Sequence, residues 1–182
     1  RIEEDVLRLL RFFRMHATYS KFGPDKSAMA ACRKLAPRLT ELSGERIRTE
    51  LFRILMAPEP ADTLTMMRGE KVLEPILPEA TNIGRLRALT FLETRAINIA
   101  SVAPDVLRRF AAVLELEDGG VEDLASRLKL SNKEAQRLNV LMTVEPPTSP
   151  EIDPLVRRQR LRRLGSDIAR DHVLLAWAEE RA

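Results

Sequence analysis

Apolar residues recur every three or four positions through nearly all of this chain, and nowhere do they alternate convincingly with polar ones. In the opening stretch Val6, Leu9, Leu10, Phe13 and Ala17 share one face, which predicts a helix over about 2–18. Gly23 and Pro24 in "KFGPD" end it. A second helix is expected from about Asp25, with Ala28, Ala31, Cys32, Leu35 and Leu39 inward and Pro37 placed to kink or divide it. In "LSGERIRTELFRILMAPEP" (42–60) Ser43 is the expected N-cap, Glu45 lies in the first turn, and Ile47, Leu51, Ile54 and Leu55 form the buried stripe. A short helix over about 61–68 should stop at Gly69 as a C′ residue, and "EKVLEPILPEA" (70–80) reads as a further short helix with proline breaks.

A second helical block begins at Gly84 with "GRLRALTFLETRAINIA" and continues in "APDVLRRFAAVLEL". "EDGG" (117–120) is a turn, and "VEDLASRLKL" and "SNKEAQRLNVLM" form a tight helix pair, the latter opened by a capping box from Ser131 to Glu134. "EPPTSPEIDP" (145–154) is the clearest linker. Two last helices are predicted over about 154–164 and 167–181, separated by Gly165, with Leu155, Val156, Leu161, Leu164, Leu174, Leu175 and Trp177 in the core. The fold class is therefore all-α, an array of about ten helices with essentially no sheet. No fixed-period repeat marks a solenoid.

Composition narrows the picture. With 45% hydrophobic and 31% charged residues over 182 positions, the chain is globular rather than disordered. Aromatics are 4%, so Leu, Ile, Val, Ala and Met must build the core. No apolar run approaches the ~20 residues that span a bilayer. The single cysteine, Cys32, excludes an internal disulfide and a paired-cysteine metal site, and makes the cytoplasm the default compartment. His16 and His172 stand apart from other ligand types and read as structural. No Gly-rich phosphate loop precedes a helix, no Asp-x-Asp offers two-metal chemistry, and no nucleophile elbow stands out. By itself the chain lacks the groups for catalysis.

Two stretches remain. Asp5 and Arg8 lie three apart on one helical face, while Glu4 and Arg8 have the spacing of an ordinary surface ion pair worth ~0.3–0.5 kcal/mol. "PLVRRQRLRRLG" sets Arg157, Arg158, Arg160, Arg162 and Arg163 within two turns and no acid among them. Such a helix is either a phosphate-binding surface or a solvated face, and unrelieved like charge favours a partner.

The order Glu4-Asp5-Val6-Leu7-Arg8, then "LRLLRFF", then "SGERIRTEL" (43–51) and "LPE" (77–79) resembles the C-terminal two-thirds of a bacterial tRNA nucleotidyltransferase, the CCA-adding enzyme, of the class (class II) that also contains bacterial poly(A) polymerases. The likeness is strong over 1–80 and weaker beyond, and the family's catalytic head, with its Gly-Ser and Asp-x-Asp motifs, is missing. It implies a neck over 1–83 for base recognition, a body over 84–145 and a tRNA-binding tail over 146–182. It implies that Asp5 and Arg8 act as a protein template. Cytosine and adenine both present an amino donor beside a ring-nitrogen acceptor, which an aspartate and an arginine complement; uracil and guanine present the inverse. Arg11, and Arg1 with it, would contribute to the nucleotide pocket, or else lie on a solvated face. Glu4 would hold Arg8, and Glu45, Arg46 and Glu50 would brace the template helix. The five tail arginines would dock tRNA. Magnesium would be held by the absent head, with CTP and ATP as substrates and no membrane involved. A poly(A) polymerase using only ATP fits the same residues, and a non-catalytic helical RNA-binding module would explain the missing catalytic groups.

Overall fold

The computed structural model describes residues 5–20, 23–97, 99, 102–117, 119–143 and 154–182, and the regular elements among them are all helical, as the apolar pattern predicts. In order they are α1 (Leu7–Tyr19), α2 (Lys26–Leu35), a 3₁₀ helix (Ala36–Glu41), α3 (Gly44–Leu55), α4 (Pro60–Gly69), α5 (Ile83–Phe91), a π-helical turn (Leu92–Ala96), α6 (Val106–Val113), α7 (Gly120–Leu128), α8 (Asn132–Met142) and α9 (Pro154–Glu179). Arg1 and Glu4, the linker residues before Pro154, and the side chains of Arg157 and Arg160 lie outside what is described.

Local chemistry explains most boundaries. Asp25 caps α2 by accepting from the Ala28 N–H at 2.8 Å, and Pro37 turns the chain from α2 into the 3₁₀ helix. Ser131 and Glu134 make the reciprocal bonds of a capping box at α8. Ser43 stands at the N-cap of α3 with extended backbone, but its side chain makes no capping bond.

Four expectations need correction. Gly69 ends α4 inside the helix, and the left-handed residue is Lys71 (φ 56°). The N–H of Val72 reaches the Met67 carbonyl and that of Lys71 the Arg68 carbonyl, a Schellman closure built on lysine. Residues 70–80 form successive turns rather than a helix. Pro75 and Pro78 remove donors three residues apart, so no ladder can propagate, yet Val72, Leu73, Ile76 and Leu77 are still buried. The helix expected from Gly84 through Ala100 loosens into the π turn and ends at Ile97, whose backbone is extended. Finally, Leu155, Val156 and Leu161 are 64, 41 and 44% exposed rather than core, Leu164 is half-buried, and Trp177 keeps 45% of its surface. Periodicity tells which side of a helix is apolar, not whether another element lies opposite it.

One apolar core runs from Val6 in α1 to Leu141 in α8, continuous through α3, α4, α5 and α6. A smaller cluster of Leu89, Leu92, Val102, Ala112, Leu174 and Ala178 fixes the second half of α9. α3 is seated on α7 so closely that a Cβ at Gly44 would overlap the Arg127 carbonyl.

Two arginines close helix ends from a distance. Arg85 of α5 donates to the carbonyls of Ala111, Ala112 and Leu114 at the C-terminus of α6, and pairs with Glu179 of α9 at 2.9 Å. Buried Arg109 donates to the Leu55 and Ala57 carbonyls behind α3 at 2.7 and 3.2 Å. Arg109 belongs to a charged cluster in the interior. Glu93 of the π turn accepts from Arg108 and Arg109 at 2.6 Å each, while Asp171 of α9 accepts from Arg108 at 2.6 Å and Arg137 of α8 at 2.9 Å. Asp105 caps α6 and completes the cluster through Arg137 at 2.9 Å. Three carboxylates thus meet three guanidiniums, which balances charge that could not be buried alone.

Candidate nucleic-acid and nucleotide interface

The seam between α1 and α3 gathers the opening motif and the second motif. α1 buries Leu7, Leu9, Leu10 and Phe13, and α3 buries Ile47, Leu51, Ile54 and Leu55. Along the rim of this packing, α1 carries Arg8, Arg11 and Arg14 at every third residue, just after Asp5. Facing them, α3 carries Arg46, Glu50 and Arg53.

Asp5 opens the helix. Its Oδ1 accepts from the Leu7 N–H at 3.1 Å and lies 3.3 Å from Arg46 Nη2. Its backbone carbonyl accepts from the Arg8 N–H at 3.0 Å, so the first turn already runs from Asp5 to Arg8. The Asp5 side chain is 33% exposed, and a carboxylate has about four acceptor sites, so capacity remains for an external donor. Arg8 and Arg11 are exposed on the same side.

Glu50 is buried to 4% side-chain exposure and sits among three arginines: Arg14 at 2.8 Å, Arg53 at 3.6 Å and Arg11 at 3.7 Å. The 2.8 Å separation from Arg14 is not directed as a hydrogen bond, since Arg14 Nε and Glu50 Oε2 both lack a partner by that criterion; the contact is Coulombic. Glu50 therefore ties α1 to α3 by charge. Glu45 is exposed in the first turn of α3, where its backbone carbonyl accepts from Thr49. Arg46 and Glu50 supply the ion pairs to α1. The motifs do not single out Arg14 and Arg53; their only sequence signal is the three-residue spacing from Arg11 and Glu50. Five guanidiniums on this seam face two carboxylates, an excess that suits an anion.

The second basic surface is the first half of α9. Arg158, Arg162 and Arg163 are exposed there beside Leu155, Val156 and Leu161. Gly165 then breaks the helix at φ 78°, ψ 161°. The seam and this basic segment are separate groups of residues on different elements.

Other candidates fall away as structural groups. His172 bonds the Val140 carbonyl through Nε2 at 2.8 Å, and His16 lies 6.3 Å from the Phe12 ring centre. Cys32 is buried, and its thiol is pushed up to about 11, first by burial and then by the charge of Glu70. Among the described residues no group of three His, Cys, Asp or Glu could hold a metal ion, and no helix is long and apolar enough to cross a membrane.

Residues 21–83 match the family described as the probable RNA- and SrmB-binding site of polymerase A. No curated protein matches the sequence. The fold is similar to that in the complex structure of a CCA-adding enzyme with ATP, at a TM-score of 0.67 and 16% identity over 96% of this chain. The chain spans 44% of the length of that enzyme. At this identity the likeness establishes a shared helical fold, within which residues 21–83 carry an RNA-binding module's sequence pattern.

Proposed function

We propose that this chain selects nucleotide bases and docks RNA for a tRNA nucleotidyltransferase that adds C, C and A to tRNA 3′ ends from CTP and ATP. The observation that carries the reading is the fold shared with a CCA-adding enzyme over nearly the whole chain. The polymerase A module at 21–83 supports it independently. In this reading Asp5 accepts from the exocyclic amino group of cytosine or adenine, and Arg8 donates to the adjacent ring nitrogen. Uracil and guanine would set acceptor against Asp5 and donor against Arg8. A buried mispaired group costs roughly 1–3 kcal/mol, so two discriminate by roughly two to four decades. Arg46 holds the Asp5 carboxylate, Glu50 holds α1 against α3, and Arg11 offers positive charge toward the nucleotide. Magnesium belongs to the catalytic part of the longer protein; no described residue cluster here fits it, and no step is derived through it. The α9 arginines contact tRNA phosphates, which position the RNA without reading its bases.

Poly(A) polymerase is the second reading, favoured by the description of the matched module. One assay separates the readings. The complete protein is given tRNA lacking its 3′ CCA with labelled CTP or ATP. Incorporation of both supports CCA addition, and ATP alone supports the polymerase. No incorporation by an active, folded protein leaves only a helical RNA-binding module.

A further inference from the structure

Resting on the reading of the α9 arginines as an RNA surface, we propose that Gly165 is the positioning residue that sets the direction of an arginine arm. The two halves of α9 have opposite surroundings. After Gly165, Asp171 is held by Arg108 and Arg137, and Leu174 and Ala178 are 2 and 0% exposed. Glu179 pairs with Arg85, and His172 with the Val140 carbonyl. This half is bonded to α5, α6 and α8. Before Gly165, Leu155, Val156 and Leu161 are all at least 41% exposed, and Arg158, Arg162 and Arg163 are exposed beside them. The direction of this half is therefore governed at the junction.

The junction itself is specific. Gly165 has φ 78° and ψ 161°, a region that only glycine occupies without strain. An added Cβ would meet no atom within 4 Å, so glycine is required by its backbone angles and not by lack of space. An L-residue at this position has one relaxed alternative next to two helical segments: helical angles. That change would fuse them into one straight rod, roughly 39 Å long for 26 residues. The arginines would keep their charge and their helix but point elsewhere.

The test compares Gly165→Ala with the unaltered protein and with Arg158→Gln/Arg162→Gln/Arg163→Gln. Spin labels at Gln159→Cys and Glu122→Cys report arm direction; buried Cys32 stays unlabelled. Binding of a tRNA transcript is measured across salt concentrations. Gly165→Ala should shift the label distance and weaken binding. Its salt slope should fall by roughly 0.7–0.9 for each phosphate that the redirected arm no longer neutralises, although no charge has been removed. A second variant, with one glycine inserted after Gly165, frees the direction without adding strain, and should broaden the distances and weaken binding. Unchanged label distance in Gly165→Ala overturns the inference. So does a changed distance with tRNA affinity and salt slope intact, in either variant. If instead the triple glutamine variant keeps the original slope, the RNA reading of the arm fails, whatever Gly165 does.

Discussion

Glu50 and Glu93 are both buried carboxylates surrounded by arginines, and their surroundings predict different costs of removal. The partners of Glu50 are 49, 27 and 57% exposed, so losing the carboxylate leaves cations that water can solvate. The partners of Glu93 are 3 and 2% exposed and would be stranded. Glu93→Ala should therefore cost about 3–5 kcal/mol and Glu50→Ala about 1–3 kcal/mol, measured by denaturant unfolding. Equal costs would mean that the interior cluster is wetter than its geometry implies. Gly44 makes a sharper case. With the Arg127 backbone against its α-carbon, Gly44→Ala should destabilise by about 1–3 kcal/mol, although alanine is the better helix former. The Gly44 requirement is invisible in sequence, where it reads only as the second residue of "SGERIRTEL".

At the scale of elements, caps and acid stability belong together. Asp105 is held below its ordinary carboxylate value: burial alone would raise it, but the Arg108 N–H and the Arg137 guanidinium outweigh that. Glu134 is likewise lowered, with burial opposed by the hydroxyl and N–H of Ser131 and by the charge of Arg48. A depressed folded-state pKa contributes stability that is full above the unfolded value and lost as pH falls through the folded one. The thermal midpoint should thus hold down to about pH 5 and decline below about pH 4, with Asp105→Asn showing a shallower decline from a lower plateau. Ser131→Ala should cost about 0.5–2 kcal/mol by removing the α8 cap. Elements such as α8 are legible in the sequence because cap and periodicity agree. The turns at 70–80 pass for a helix because their apolar residues are buried without one to present them. The exposed arm of α9 passes for core because an apolar stripe does not reveal whether anything packs against it.

At the scale of the molecule, the all-helical architecture is legible from the apolar period alone, while the arrangement of the helices is not. The ties that set it are long-range: Arg85 closing α6, Arg109 closing α3, and Asp171 joining α9 to α6 and α8. No local pattern announces such pairs. The candidate site divides in the same way. Asp5, Arg8 and Glu50 stand out through motif order, whereas Arg14 and Arg53 emerge only when α1 and α3 are packed side by side. The central claim is that Asp5 and Arg8 choose the base, and one measurement addresses it directly. In the complete protein, the preference for CTP over UTP on a tRNA acceptor is compared between the unaltered enzyme and Asp5→Ala. Losing one of the two matched groups should reduce that preference by roughly one to two decades, with the fold intact by circular dichroism. An unchanged preference at normal turnover would contradict the account.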